Sequence, residues 1–327
     1  MHLPRRLMTF ILMLILIAES GSGTGAVDTA VVAEQEKPIL IFQVISDVHL
    51  VTESAVKKLR NSLHDLQVAA PKSEALIING DLGNGREVDY AALRHIMHNE
   101  DHPKLVYYTI GNHEFYKAWY SHGDRWSMDS FPNGETDTAS IGRFLQLIGE
   151  KKVYYDRWIK GYHFIMLGSE HYRQIESNIG EDAYLSEEQL AWLDSKLAED
   201  KPNSRPVFLF LHQPLPQTVS GTYAANYRGV VQHKQLKDIL TKHPNVMLFT
   251  GHTHRELKLP DRIVHRPFAT INSSSVFEPW TSNDKPIPAS QGSSEGLVVE
   301  VYKDHVQIRG RDFRNRKWIV SANSMIK

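Results

Sequence analysis

Residues 39–49 read Ile39-Leu40-Ile41-Phe42-Gln43-Val44-Ile45-Ser46-Asp47-Val48-His49. The first seven form a near-continuous apolar run, the pattern of a strand buried on both faces. The run halts at Ser46, and Asp47 and His49 follow, two residues apart. The next segments repeat the design. Residues 53–69 place Val56, Leu59, Leu63 and Leu66 at helical spacing. Ala75–Ile78 is a second buried strand, 87–98 a helix through Val88, Ala91, Leu93 and Ile96, and Leu105–Ile110 a third strand. A β-α-β-α-β order implies parallel strands joined by right-handed crossovers.

Farther on the pattern loosens. Residues 114–138 are rich in aromatic, Gly, Ser and Asp residues without a period and read as a long loop with short helical pieces, a length usually tied to function. Residues 153–155 and 163–167 read as strands on either side of the Lys160-Gly161 turn. A helix opens at Leu185–Gln189 and runs to about Glu199, with Ser186 as N-cap and Gln189 completing a capping box. Residues 206–211 and 246–250 are two more buried strands, separated by a helix near 232–242. The last third is β-rich, with 297–302 and 305–309 paired across Lys303-Asp304 as a hairpin. The periodicity therefore gives a parallel α/β body with a β-rich end, one domain over residues 38–320 without an internal linker.

The chemistry lies where the buried strands stop. Asp47 and His49 follow the first, Asn79-Gly80-Asp81 the second, Gly111-Asn112-His113-Glu114 the third, His212 the strand at 206–211, and Gly251-His252-Thr253-His254 the strand at 246–250. The carboxyl ends of parallel strands share a rim where ligands bind. Singly, an Asp in such a place is a turn former or a helix cap, and one buried His is ordinary. Five strand ends with the same grammar place two Asp, one Asn and five His along one edge, which points to a metal site. The other 12 of the 17 histidines lie outside these segments, so the count by itself decides nothing.

Composition removes competing chemistries. There is no cysteine, which excludes disulfides, thiol catalysis and thiolate zinc sites. Oxygen and nitrogen donors suit divalent Mn, Fe, Zn or Co. There are more ligands than one ion uses, so two ions are expected, with Asp81 bridging because Gly80 lets the backbone come close. A water shared by two such ions is deprotonated near neutral pH, and phosphate esters are the natural substrate for that nucleophile. A net charge of −1 excludes nucleic-acid binding by bulk charge; the expected partner is a small phosphate ester.

The first 26 residues stand apart. Arg5 and Arg6 precede the apolar run Leu7–Ala18, followed by the small residues Ser20–Ala26. This is the layout of a secretory signal peptide, cleaved after Ser20 or Ala26, with residues 27–37 as a flexible mature N-terminus. Twelve apolar residues are too few to span about 30 Å of hydrocarbon as a helix. An exported protein with no membrane span after cleavage is expected.

Taken in order, Asp-x-His, Gly-Asp, Gly-Asn-His-Glu, a lone His and Gly-His-x-His resemble the five-block signature of the calcineurin-like metallophosphoesterases. Together with the flanking strands and the final hairpin, the resemblance covers most of the chain. It implies a four-layer α/β/β/α sandwich of mixed sheets flanked by helices. It implies that Asp47, His49 and His254 hold one ion and Asn112, His212 and His252 the other, with Asp81 between them. His113 would not bind metal but would protonate the leaving oxygen or stabilise the transition state.

The departures narrow the subclass. Phosphoprotein phosphatases of this superfamily carry an Asp and an Arg shortly after Gly-Asp, where this chain has Asn84 and Gly85, with Arg86 one place on. Purple acid phosphatases place a metal-bound Tyr in the same segment. The chain is most similar to the bacterial class III cyclic-nucleotide phosphodiesterase-like group, which implies a phosphodiesterase. The alternatives are a phosphomonoesterase or nucleotidase outside the cell, and a non-catalytic scaffold of the same fold. Tyr116, Trp119, Tyr120, His171, Tyr172, Tyr223 and Tyr227 are the loop rings available to stack on a nucleobase.

Overall fold

The computed structural model describes residues 36–121, 124–199, 205–288 and 293–325; the expected export segment, residues 1–26, lies outside them. Strand β1 (Leu40–Ile45) alternates as its sequence dictates. Phe42 and Val44 face a second sheet, while Gln43 turns the other way and donates from Nε2 to Ser73 Oγ at 3.0 Å beneath the first helix. That helix, α1 (Glu53–Ala69), is capped by Thr52, whose hydroxyl accepts from Ala55 N. It buries Ala55, Leu59, Leu63 and Leu66.

Beyond it come β2 (Ala75–Asn79), α2 (Glu87–Asn99) and β3 (Leu105–Thr109), and β1, β2 and β3 pair in parallel as expected. The inward face of α2 differs from the sequence reading. Tyr90, Leu93 and Ile96 are buried, whereas Val88 and Ala91 face outward. Tyr90 supplies the apolar bulk where the periodicity had counted the smaller residues.

Residues 113–130 contain two short 3-10 helices, then Thr136 caps α3 (Asp137–Ile148), a helix the aperiodic run before it conceals. Strands β4 (Tyr155–Ile159) and β5 (Tyr162–Met166) form the hairpin around Lys160-Gly161. Ser186 does cap α4 (Glu187–Glu199), accepting from Gln189 N at 3.1 Å. The reciprocal arm of the capping box is not Gln189. The Ser186 amide donates to Glu170, and Gln189 instead ties to both backbone groups of Gly168.

Strand β6 (Val207–Phe210), helix α5 (His233–Thr241) and β7 (Val246–Thr250) follow, then β8 (Ile263–Val264) and β9 (Ala269–Asn272). The chain closes with β10 (Glu295–Val301), β11 (His305–Asp312) and β12 (Lys317–Met325), an antiparallel meander that adds one strand to the expected hairpin.

Two six-stranded mixed sheets result, ordered β12-β11-β10-β1-β2-β3 and β4-β5-β6-β7-β9-β8. Between them Phe42 meets Phe164, Phe208 and Phe249 with ring centroids 4.7–5.9 Å apart, mostly edge to face. Fully burying rings of this size contributes about 1.5–3 kcal/mol each. The outer faces are covered by helices: Leu59, Leu63, Leu93 and Ile96 on one side, Leu193, Leu197, Leu236 and Leu240 on the other. The architecture is the four-layer α/β/β/α sandwich.

Asn79, the last residue of β2, ties the sheets together at one rim. Its side-chain amide donates to the carbonyls of Phe249 (3.1 Å) and Leu211 (3.4 Å) in the other sheet, and its Oδ1 accepts from Thr109. The five chemistry-bearing strand ends thus meet across two facing sheets. The sequence had placed them on one edge, because the alternation of strands and helices does not show where one sheet ends and the next begins.

Candidate metal centre

Three of the five turns, those after β1, β2 and β7, present their side chains by an unusual backbone. Asp47, His49, Asp81, His252 and His254 all have φ between +47° and +66°, a left-handed conformation that costs energy for residues with a side chain. Close approach is what holds them there. The turn after β1 lies against the turn after β2 through four backbone bonds: Asp47 N to Gly80 O, Val48 N and His49 N to Asp81 O, and Leu50 N to Leu82 O. Gly80 has φ +84°, and a Cβ there would sit 2.4 Å from the His212 ring. Gly251 has no such dihedral demand; a Cβ there would strike Ser46 and the Asp47 carboxylate.

The converging atoms form two sets. One donor atom each from Asp47, His49, Asp81 and His254 lies within 4.8 Å of the others, and Asp81, His212 and His252 form a second such set. Asp81 belongs to both. His254 Nε2 is 3.0 Å from Asp47 Oδ1 and 3.1 Å from His49 Nε2. His212 Nε2 is 3.1 Å from Asp81 Oδ2. Asn112 joins the second set, its Oδ1 3.0 Å from His252 Nδ1. All seven expected ligands are therefore brought together.

The chemistry of these atoms fits two divalent cations. His212 Nδ1 donates to Asn79 O and His254 Nδ1 to Glu278 O, both at 2.8 Å, so each ring in its neutral form turns an Nε2 lone pair inward. His212 Nε2 is buried and, despite its closeness to Asp81, not aligned for a hydrogen bond, which leaves it an orphaned nitrogen. Asp47 and Asp81 are buried too. Burial opposes charge on Asp47, yet His254 and His212 hold its carboxyl down at about 2. Burial likewise opposes a proton on His212, but Asp81 and Asp47 push it up to about 10. The pocket demands positive charge, and divalent ions meet that demand.

Two further carboxylates support the turns. Glu114 accepts backbone bonds from Gly111, Asp81 and Leu82 at 2.6–3.1 Å. Burial and neighbouring Asp81 raise it to about 8 against the pull of those amides. Glu181 reaches Asn112 Nδ2 at 2.8 Å. It stands 69 residues away in sequence, and nothing in its own segment announces it.

His113 sits beside the two sets. Its backbone amide donates to Asp81 Oδ1, its Nε2 is 3.9 Å from Asp81 Oδ2, and its ring stacks on Tyr116 with centroids 3.8 Å apart. Its Nδ1 meets Asn84 Oδ1 at 2.9 Å. The position from which the carboxylate is missing thus still grips the histidine, through a neutral amide. Arg86 turns away, pairing with Asp89 and lying over the Tyr120 ring.

The open cleft above the site has a volume of about 360 Å³, and its apolar walls are Val51, Phe277 and Trp280. Most of the loop rings available to stack on a base are used for packing, whereas Tyr223 is exposed. Tyr172 is buried, Trp119 lies against Phe131, and Tyr227 is held in the loop by Gly229 and Pro214.

The calcineurin-like phosphoesterase family profile matches residues 42–256. Among solved structures, a dimetal phosphatase from Danio rerio aligns with 15% identity and a TM-score of 0.63, covering 89% of this chain and all of the other. A purple acid phosphatase from yellow lupin (Lupinus luteus) seeds aligns with 10% identity and a TM-score of 0.63, covering 88% of this chain and 54% of the other. At such identities the likeness is one of fold. No curated protein matches the chain.

Proposed function

The chain belongs to the calcineurin-like phosphoesterases and is a metal-dependent phosphoesterase; on that premise we propose that it is an exported phosphodiesterase working through two divalent ions. The observation that carries the two-ion reading is the pair of donor sets sharing Asp81. Asp47, His49 and His254 would hold one ion and Asn112, His212 and His252 the other, with Asp81 shared by both sets. When bound, two such cations neutralise phosphoryl oxygens and activate water as the nucleophile.

The remaining work falls to side chains. His113 lines the cleft, and its Nε2 delivers the proton to the leaving oxygen while Asn84 holds Nδ1. Diester cleavage is supported by the cleft walls. Among the described lining residues there is no Lys or Arg, and Glu278 is acidic. A dianionic monoester finds no second cationic clamp there, whereas a monoanionic diester can rest its second substituent on Phe277 and Trp280. Export rests on the pattern of residues 1–26. Among the described residues, no helix is long and apolar enough to cross a membrane.

The test is a substrate panel on the mature protein with Mn²⁺, comparing bis-p-nitrophenyl phosphate, p-nitrophenyl phosphate, cyclic AMP and ATP. Faster diester cleavage is expected. A monoester preference above about tenfold, roughly 1.4 kcal/mol in transition-state binding, overturns the diesterase reading and favours a phosphomonoesterase.

A further inference from the structure

Glu181 lies in the loop between β5 and α4, fixed there by its carbonyl accepting from Gln213 Nε2, next to His212. Its carboxylate is ringed by donors. Oε2 accepts from Asn112 Nδ2 at 2.8 Å and Tyr116 Oη at 3.0 Å. Oε1 accepts from Tyr172 Oη at 2.9 Å and from the Arg173 guanidinium. Both oxygens are thus committed to accepting, which a carboxylate does and a neutral amide cannot.

The Asn112 side chain has two ends. With Nδ2 claimed by Glu181, Oδ1 is the end that faces His252 and the second donor set. An unguided amide has no such preference, and its nitrogen is no metal ligand. Tyr116 links the same carboxylate to the ring of His113, on which it stacks.

We propose that Glu181 is a positioning residue of the second ion site, orienting the Asn112 amide so that its oxygen is presented to the metal. The inference rests on the two-ion reading above and deepens it. In Glu181→Gln the new NH2 group cannot face Arg173, which has only donors, so it turns toward Asn112. Asn112 then answers by rotating its oxygen to Gln and its nitrogen to the metal.

The experiment is Mn²⁺ titration followed by elemental analysis on the wild type, E181Q and the double variant E181Q/N112D, each checked for cooperative unfolding. The wild type is expected to take two ions. E181Q should need about 10–100-fold more Mn²⁺ for the second while filling the first normally. The double variant should recover most of that loss, because an Asp at 112 has no amide nitrogen to misplace. Recovery is a signature that loop packing alone does not produce. Should E181Q fail to fold, E181A is compared with E181A/N112D in the same way.

Filling of the second site at wild-type concentrations in E181Q overturns the proposal. So does a loss that N112D leaves uncorrected in a folded protein. A wild type that takes fewer than two ions instead overturns the two-ion reading itself, and this inference with it.

Discussion

The two halves of the centre are built by different means. Asp47, His49 and Asp81 stand on turns stitched to one another by backbone hydrogen bonds, and the fourth member, His254, is fixed by the Glu278 carbonyl. In the other half, His212 is held by the Asn79 carbonyl and the His252 amide by the Asp47 carboxylate, but the His252 ring meets a side chain, Asn112, which is oriented by another, Glu181. Backbone bonds between closely packed turns leave few alternatives. A chain of side chains has a rotamer at every link, and ordering each costs entropy. The first half is also anionic through Asp47, whereas Asp81 is the only carboxylate among the second half's proposed ligands. The first half is therefore preorganised, and the second is the one more easily lost.

Asp81→Asn strikes the member both halves share and should have the largest effect. It leaves the second half with neutral donors only, so the protein should retain about one ion per chain by elemental analysis, with turnover near background. Two ions at wild-type affinity would remove the bridging role, and loss of the Asp47 ion first would reverse the comparison. His113→Ala comes next. It spares every proposed ligand, so kcat should fall by about 10²–10⁴-fold, the usual contribution of a positioned acid, while both ions stay bound. A wild-type rate would show that His113 carries no proton. Tyr116→Phe is the mildest test. The ring still stacks on His113, and the bond to Glu181 and the long one from Asn112 Nδ2 are lost, so about 1–2 kcal/mol is at stake. A change in kcat of less than about tenfold, with a slightly weakened second ion, is expected; a first ion weakened more than the second would contradict the division.

The contrast between the halves also marks what could be read in advance. Strands β1, β2, β6 and β7 were legible because burial on both faces leaves an uninterrupted apolar run, and the ligands because each strand end carries them within a few residues. The inward face of α2 was misjudged at Val88, since periodicity assigns a stripe without weighing that Tyr90 buries more area. The single rim was misjudged because no local pattern marks the passage from one sheet to the next. By sequence Asn84 is a missing carboxylate; its grip on His113 shows only with both residues in place.

The sequence alone determined the donors and their order: which residue types end each strand, how the glycines let those ends close in, and why the set suits hard or borderline divalent ions. These are local properties, set by spacings of one to three residues and by the chemistry of each side chain. The tertiary structure decided which donors share an ion, that the rim crosses two sheets through Asn79, and that Glu181 turns Asn112. Those decisions join residues 69, 170 and 205 positions apart, and the chain brings such distant groups together only when the hydrophobic layers pack.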